Sequence, residues 1–353
     1  MDGLPKPRRY LMIVSVYQLV LVMTLLPFSA LGARIGLRPL YQYGQALFIV
    51  SAVLCFFAPN LPMLLAARTL QALGAAAALS VASALVRSIY PSGQLGRGLG
   101  INSVVVASSA ALAPILGGFI VSVMSWPWVF VATLPLALLS LAVGQHSLPD
   151  PRPRRERYDL LGALLCALTF GLIISGLLAL AQGYPPPASL AVVLVGILIA
   201  CVFVRRELTE SAPILPVDLL ARPILALSIA GALLAFIGSM TVILSLPFRL
   251  QEQFGFSPGE IGAVIAPWPL SMMVTAPIAG ILSDRFHAGL LGGIGMAIAT
   301  TGMALLANLP EGASHWDIAW RMSLCGTGYG IFLSPNARLV IASAPLARAA
   351  SAG

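Results

Sequence analysis

A chain of 353 residues that is 59% hydrophobic and only 9% charged is too apolar for a water-soluble domain, where about a quarter of residues are charged. Its net charge of +8 therefore reports membrane topology first, and nucleic-acid binding is not implied. Cys55, Cys166, Cys201 and Cys325 sit far apart inside apolar stretches, as small buried hydrophobes do, and His146, His287 and His315 stand isolated in loops. No metal centre and no cofactor is expected.

Lys6, Arg8 and Arg9 precede the first apolar run, 10–31, whose length of about 22 residues exceeds a signal-peptide core of about 7–15. It reads as a span. Ten more follow at 41–58, 63–86, 102–123, 128–143, 160–181, 190–204, 224–247, 261–282, 289–307 and 318–344, each near the roughly 20 residues that cross a bilayer as a helix. Pro, Gly or charge marks the breaks, as at Pro59-Asn60, 149–159 and 183–187. The fold class is an all-α polytopic membrane protein.

The third run carries one full charge, Arg68, and an arginine in a span costs roughly 2.5–3.5 kcal/mol unless it faces protein or water. Gln71 follows on nearly the same helical face. Two readings stand: a polar site lining a solute pathway, or a structural arginine bonded to backbone carbonyls of a neighbouring helix.

Alternate loops collect arginine: Arg34 and Arg38, Arg87 and Arg97, Arg152–Arg157, Arg205 and Arg206, Arg222, and Arg285. By the positive-inside rule that side is cytoplasmic. The tail holding Lys6, Arg8 and Arg9 then lies outside, against the same rule. Trp126, Trp128, Trp316 and Trp320 mark outer span ends as an interfacial aromatic belt would.

Short patterns recur along this framework. Ser29, Leu31, Arg34, Gly36 and Arg38 follow the first span, and Gly280, Leu282, Asp284 and Arg285 follow the ninth at the matching topological position. Arg68, Gln71 and Gly74 form a third group, and Ser109, Ala113, Pro114, Gly117 and Gly118 a fourth. Trp126, Trp128 and Phe130, then Leu246-Pro247, Pro267-Trp268-Pro269 and Gly326–Asn336, complete the set. In these patterns the chain resembles the major facilitator superfamily, and within it the fourteen-span drug:proton antiporters. It departs at Ser29 and Ala33, where that family's loop has Gly and Asp, at Ala72 for a Gly, and at His287 and Ala288 in the second copy.

The resemblance implies a major facilitator fold with about 11 of 14 helices present, the first helix and the last two being absent. It implies an N-terminal bundle at 1–143, a basic cytoplasmic linker with two inserted spans at 144–223, and a C-terminal bundle at 224–353. The function implied is a monomeric multidrug efflux transporter of the bacterial inner membrane. It would export amphipathic, often cationic, drugs across the lipid bilayer by proton antiport and alternating access. The alternative is a truncated, non-transporting membrane protein that is inactive or acts only by helix association.

Individual residues carry physical expectations as well. Ser109, Ala113 and Gly117 make a small-residue stripe for close helix approach, and Pro114 bends the helix, which together suit a gate. Gly74, Ala78 and Ala82 form a like stripe on the Arg68 helix, so both helices are expected in one bundle. Asp284 reads as a latch that caps a helix N-terminus, a role Ala33 cannot play. Trp268 sits at a broken helix and either stacks on a solute or packs; Pro335 is expected to break the last span beside Asn336, a candidate cavity group. Gly326, Gly328 and Gly330 read as helix-packing glycines. The twelve carboxylates all fall in loops or at span ends, so a mid-membrane proton carrier is not visible in this chain. An intramembrane enzyme is disfavoured, since no catalytic motif is present.

Overall fold

The computed structural model describes residues 7–91, 94–149, 158–210, 214 and 222–343. All regular structure among them is helical: α1 Pro7–Ile35, α2 Leu37–Phe56, α3 Leu61–Ile89, α4 Leu95–Val123, α5 Trp128–Val131, α6 Leu134–Ser147, α7 Leu160–Ala181, α8 Pro186–Glu207, α9 Pro223–Phe254, α10 Pro258–Ile265, α11 Pro267–Arg285, α12 Ala288–Ala307 and α13 His315–Ser343. Nine helical stretches among the described residues are long and apolar enough to cross a membrane. Helix α13 corresponds to the eleventh run but carries Asp317, Arg321 and Arg338.

Local chemistry, more than hydropathy, sets the helix ends. Gly36 alone separates α1 from α2 at φ 104°, a backbone conformation a side chain would strain. Gly255 ends α9 in the left-handed region at φ 68°, and Phe256 N–H returns to the Leu250 carbonyl, as in a Schellman-type close. Asp159 caps α7 by accepting from Gly162 N–H at 3.0 Å. Ser257 and Glu260 form a reciprocal capping box at α10. Proline opens α8, α9, α10 and α11, where its missing N–H leaves no intrahelical bond unmade.

Two compact units result. The first holds α1–α3, α5–α8 and the final turn of α4; the second holds α4 through Phe119 together with α9–α13. In the first, α3 packs on both α1 and α2, and the inserted pair α7–α8 packs on α1 through α7. Gly44 and Gly74 let α2 and α3 cross closely: a Cβ on Gly74 would sit 2.6 Å from Phe48 N and 2.8 Å from Gly44 O. Gly171 receives Met23 of α1, while Gly176 and Gly196 seat Val193 and Ile173 across the α7–α8 contact.

In the second unit α13 packs against α11 and α12. Gly326 and Gly330 approach α11 at Trp268, Ser271 and Thr275, and Gly328 approaches Gly295 and Ala299 of α12. These are the helix-packing glycines expected from the sequence. The surrounding core includes Leu250, Met322, Cys325, Tyr329 and Phe332.

Several expectations change here. Helix α4 groups with the second unit, not with the Arg68 helix, because Gly96 and Gly100 bring its N-terminal half against Gly280 and Pro277 of α11. Pro335 does not break α13, which is continuous from His315 to Ser343. Cys201 is exposed on α8, whereas Cys55, Cys166 and Cys325 are buried. His146 lies in the last turn of α6, not in a loop. The break expected at Trp268 is present as the junction between α10 and α11. Trp126, Trp128, Trp316 and Trp320 are all exposed.

Candidate functional site

The charge that stood out in the sequence sits on the buried face of α3, with Leu64, Ala67 and Gln71. Arg68 is half-buried. Its Nη1 donates to Gln71 Oε1 at 2.7 Å, and Gln71 is only 2% exposed. The guanidinium carbon lies 4.3 Å from the Tyr17 ring centroid of α1 and 5.6 Å from that of Phe130 of α5. Cys55 of α2 approaches Gln71 Oε1 at 4.0 Å. Four helices therefore converge on one cation, and its partners are an amide and two aromatic rings.

The described hydrogen bond of Arg68 goes to a side chain, not to a backbone carbonyl. Arg68 Nε is buried with no acceptor within reach among the described residues, so the donor set is incompletely used. Gly74, grouped with Arg68 in the sequence, serves the α2–α3 crossing instead. Six residues along a helix turn it about 120° away from Arg68.

A second polar cluster lies in the second unit. Asp284, in the last turn of α11, accepts from Gly96 N–H at 3.0 Å and Arg97 N–H at 3.1 Å, in the first turn of α4. Arg338 of α13 pairs with Asp284 Oδ1 at 3.2 Å and also donates to the Ser283 carbonyl. The carboxylate thus meets the positive end of one helix and a guanidinium from another. The capping role expected of Asp284 is present; Arg338 was not singled out, although a charge inside the last apolar run was its signal. Gly280 makes the approach possible, since a Cβ there would collide with the Gly96 carbonyl. Leu282 and Arg285 are exposed.

The first copy of this pattern is built differently. Ser29, Leu31 and Arg34 belong to α1 itself, so most of the pattern is helical and only Gly36 forms the turn. Ser29 is 3% exposed and its hydroxyl has no partner among the described residues. Arg34 is exposed. Arg38 donates to the Gln145 carbonyl and so ties the start of α2 to the end of α6.

The remaining sequence-predicted residues are packed or open. Trp268 is 6% exposed and lies 5.2 Å, ring to ring, from Tyr329, which is the packing alternative. Asn336 is 8% exposed and donates to the Ser228 carbonyl of α9 at 3.2 Å; its amide joins two helices. Ser109 returns its hydroxyl to the Val105 carbonyl at 2.8 Å. Ser109 and Ala113 are exposed, and a Cβ on Gly117 would meet nothing within 4 Å. The close approach expected of this stripe is absent at its described positions. The side chains of Pro114 and Gly118 lie outside the described residues.

Outside the membrane-spanning segments, Asp159 joins its N-cap role to an ion pair with Arg206 of α8. Burial alone would push its carboxyl up, but the Arg206 side chain and the Gly162 and Leu161 N–H groups outweigh it and hold the carboxyl below its ordinary range.

Comparison with known proteins places this architecture. The chain is 42% identical over 348 residues to Uncharacterized transporter YebQ of Escherichia coli (strain K12), covering 98% of this chain and 76% of that protein. It is 28% identical over 349 residues to Methyl viologen resistance protein SmvA of Salmonella typhimurium (strain LT2), covering 97% of this chain and 70% of that protein. The solved structure of the human organic anion transporter MFSD10 superposes with a TM-score of 0.66 at 18% identity, over 99% of this chain and 75% of that one. The model of the Major Facilitator Superfamily matches residues 7–163 and 160–353, and the chain belongs to that family of membrane transporters.

Proposed function

We propose that this transporter exports amphipathic, drug-like molecules across the bacterial inner membrane, by alternating access coupled to proton antiport. The observation that carries the reading is Arg68, a half-buried cation on an inward helix face, held by Gln71 and ringed by Tyr17 and Phe130. A polar group in that position favours a solute pathway over simple packing. Likeness to a named methyl viologen resistance protein supports export as the direction. In this reading the Asp284–Arg338 cluster is a latch that holds α4, α11 and α13 together in one state and releases them in another. The Pro114 segment of α4 acts as the gate, and the protein works as a monomer.

Expression in an efflux-deficient bacterial host should lower the steady-state accumulation of a fluorescent amphipathic dye, and an uncoupler should restore it. Unchanged accumulation, with the protein verified in the membrane, would overturn the export reading. A drop that survives the uncoupler would overturn proton coupling alone.

A further inference from the structure

The export reading leaves the charge of its substrates open, and the surroundings of Arg68 bear on it. A guanidinium has five N–H donors. Of these, Nη1 meets Gln71 Oε1, and Nε is buried without an acceptor among the described residues. The helices that meet at Arg68 are α1, α2, α3 and α5, and neither they nor α6 contain a single Asp or Glu. The described carboxylates of this unit, Asp159, Glu207 and Glu210, belong to the α7 and α8 ends. Among the described residues of this unit, therefore, no carboxylate is packed against the positive charge.

A lipophilic cation entering this cluster meets a like charge. A carboxylate meets the opposite charge and the guanidinium N–H groups that Gln71 leaves unused. Tyr17 and Phe130 add two ring surfaces within 6 Å of the same carbon, suited to an aromatic body attached to that carboxylate. Gln71, itself buried, fixes the guanidinium by accepting from it.

We propose that Arg68, Gln71, Tyr17 and Phe130 form a binding site for the carboxylate of an aromatic monoanion, so that aromatic acids are a substrate class of this transporter. The assignment of these acids as substrates rests on the export reading; their binding does not. The same oxyanion chemistry occurs on lipid headgroups, and the test separates the two sources.

The purified chain in phosphatidylcholine nanodiscs is titrated calorimetrically with benzoate, with its neutral isostere benzamide, and with tetraphenylphosphonium. Benzoate should bind at least about tenfold more tightly than benzamide, the difference that a charge-assisted contact supplies. Arg68→Gln should remove that preference. Arg68→Lys should retain part of it, and Tyr17→Leu or Phe130→Leu should weaken both ring-bearing probes. The lysine and ring variants keep the test valid should Arg68→Gln fail to fold.

Equal binding of benzoate and benzamide overturns the proposal. So does benzoate affinity unchanged in Arg68→Gln, or tetraphenylphosphonium binding that depends on Arg68 in place of benzoate. Loss of benzoate binding when phosphatidylglycerol replaces phosphatidylcholine assigns the site to a lipid headgroup and overturns the solute assignment. Benzoate binding with no effect on dye accumulation would count against export and leave the site standing.

Discussion

At the scale of single residues, the chain manages its charges in three distinct ways. Arg68 is held by an amide and two rings. Asp284 is held by two backbone N–H groups and Arg338. Arg249 donates to the Leu306 and Ala307 carbonyls at 3.0 Å and so closes the C-terminal end of α12. Asp284→Asn keeps the shape but removes the charge that both helix dipole and guanidinium favour, a loss of about 1.5–3 kcal/mol for charge-assisted bonds. We expect a lower unfolding temperature in detergent and weakened dye export; an unchanged melt and unchanged export would show that the cluster is not a latch. For Asp159 the folded pKa lies below its unfolded value, so its stabilisation is fully present above an ordinary carboxylate pKa of about 4 and lost as pH falls through the lower folded value. Hydrogen exchange at the α7 N-terminus should therefore differ between wild type and Asp159→Asn at pH about 6, and the difference should shrink on acidification below about 4. A difference that grows at low pH would contradict this assignment.

At the scale of elements, glycine divides into positions that permit contact and positions that permit nothing visible. Gly74 and Gly280 each stand where a Cβ would strike a neighbouring backbone. Gly117 stands where a Cβ would touch nothing. Gly74→Ala should cost about 1–3 kcal/mol by forcing α2 and α3 apart. Gly117→Ala should be neutral or stabilising by up to about 1 kcal/mol, from helix propensity alone. Thermal unfolding of the two variants side by side checks this, and equal destabilisation would place an unseen partner against Gly117. The sequence groups both glycines into similar small-residue stripes. Spacing shows that a stripe exists; only the neighbouring helix shows whether it is used.

At the scale of the whole molecule, the arginine-rich loops imply an orientation. A reporter inserted within 150–157 should read cytoplasmic, and one at the Gly255 turn should read external, as the positive-inside rule directs. The opposite pair of readouts would invert the orientation proposed for export. Two compact units, one centred on α3 and the other on α13, each carry one of the polar clusters. The N-terminal half of α4 packs against Gly280 and Pro277 of α11 within the second unit.

Composition and hydropathy determined the helical membrane class and drew attention to Arg68, because insertion into a bilayer selects on average apolarity along the chain. Motif spacing also marked Gln71 and Asp284, since residues three apart on a helix share a face and a carboxylate near a helix end seeks N–H groups. The partners of these residues were beyond its reach. Tyr17 and Phe130 reach Arg68 from helices well separated in sequence, and Arg338 reaches Asp284 across 54 positions (338 minus 284). No local pattern encodes which of many aromatic or basic side chains arrives. Tertiary packing also set Trp268 against Tyr329 and Asn336 against the Ser228 carbonyl, ran α13 through Pro335, and left the described positions of the α4 stripe open. Each depends on what stands opposite a residue, and that is a property of the assembled helices.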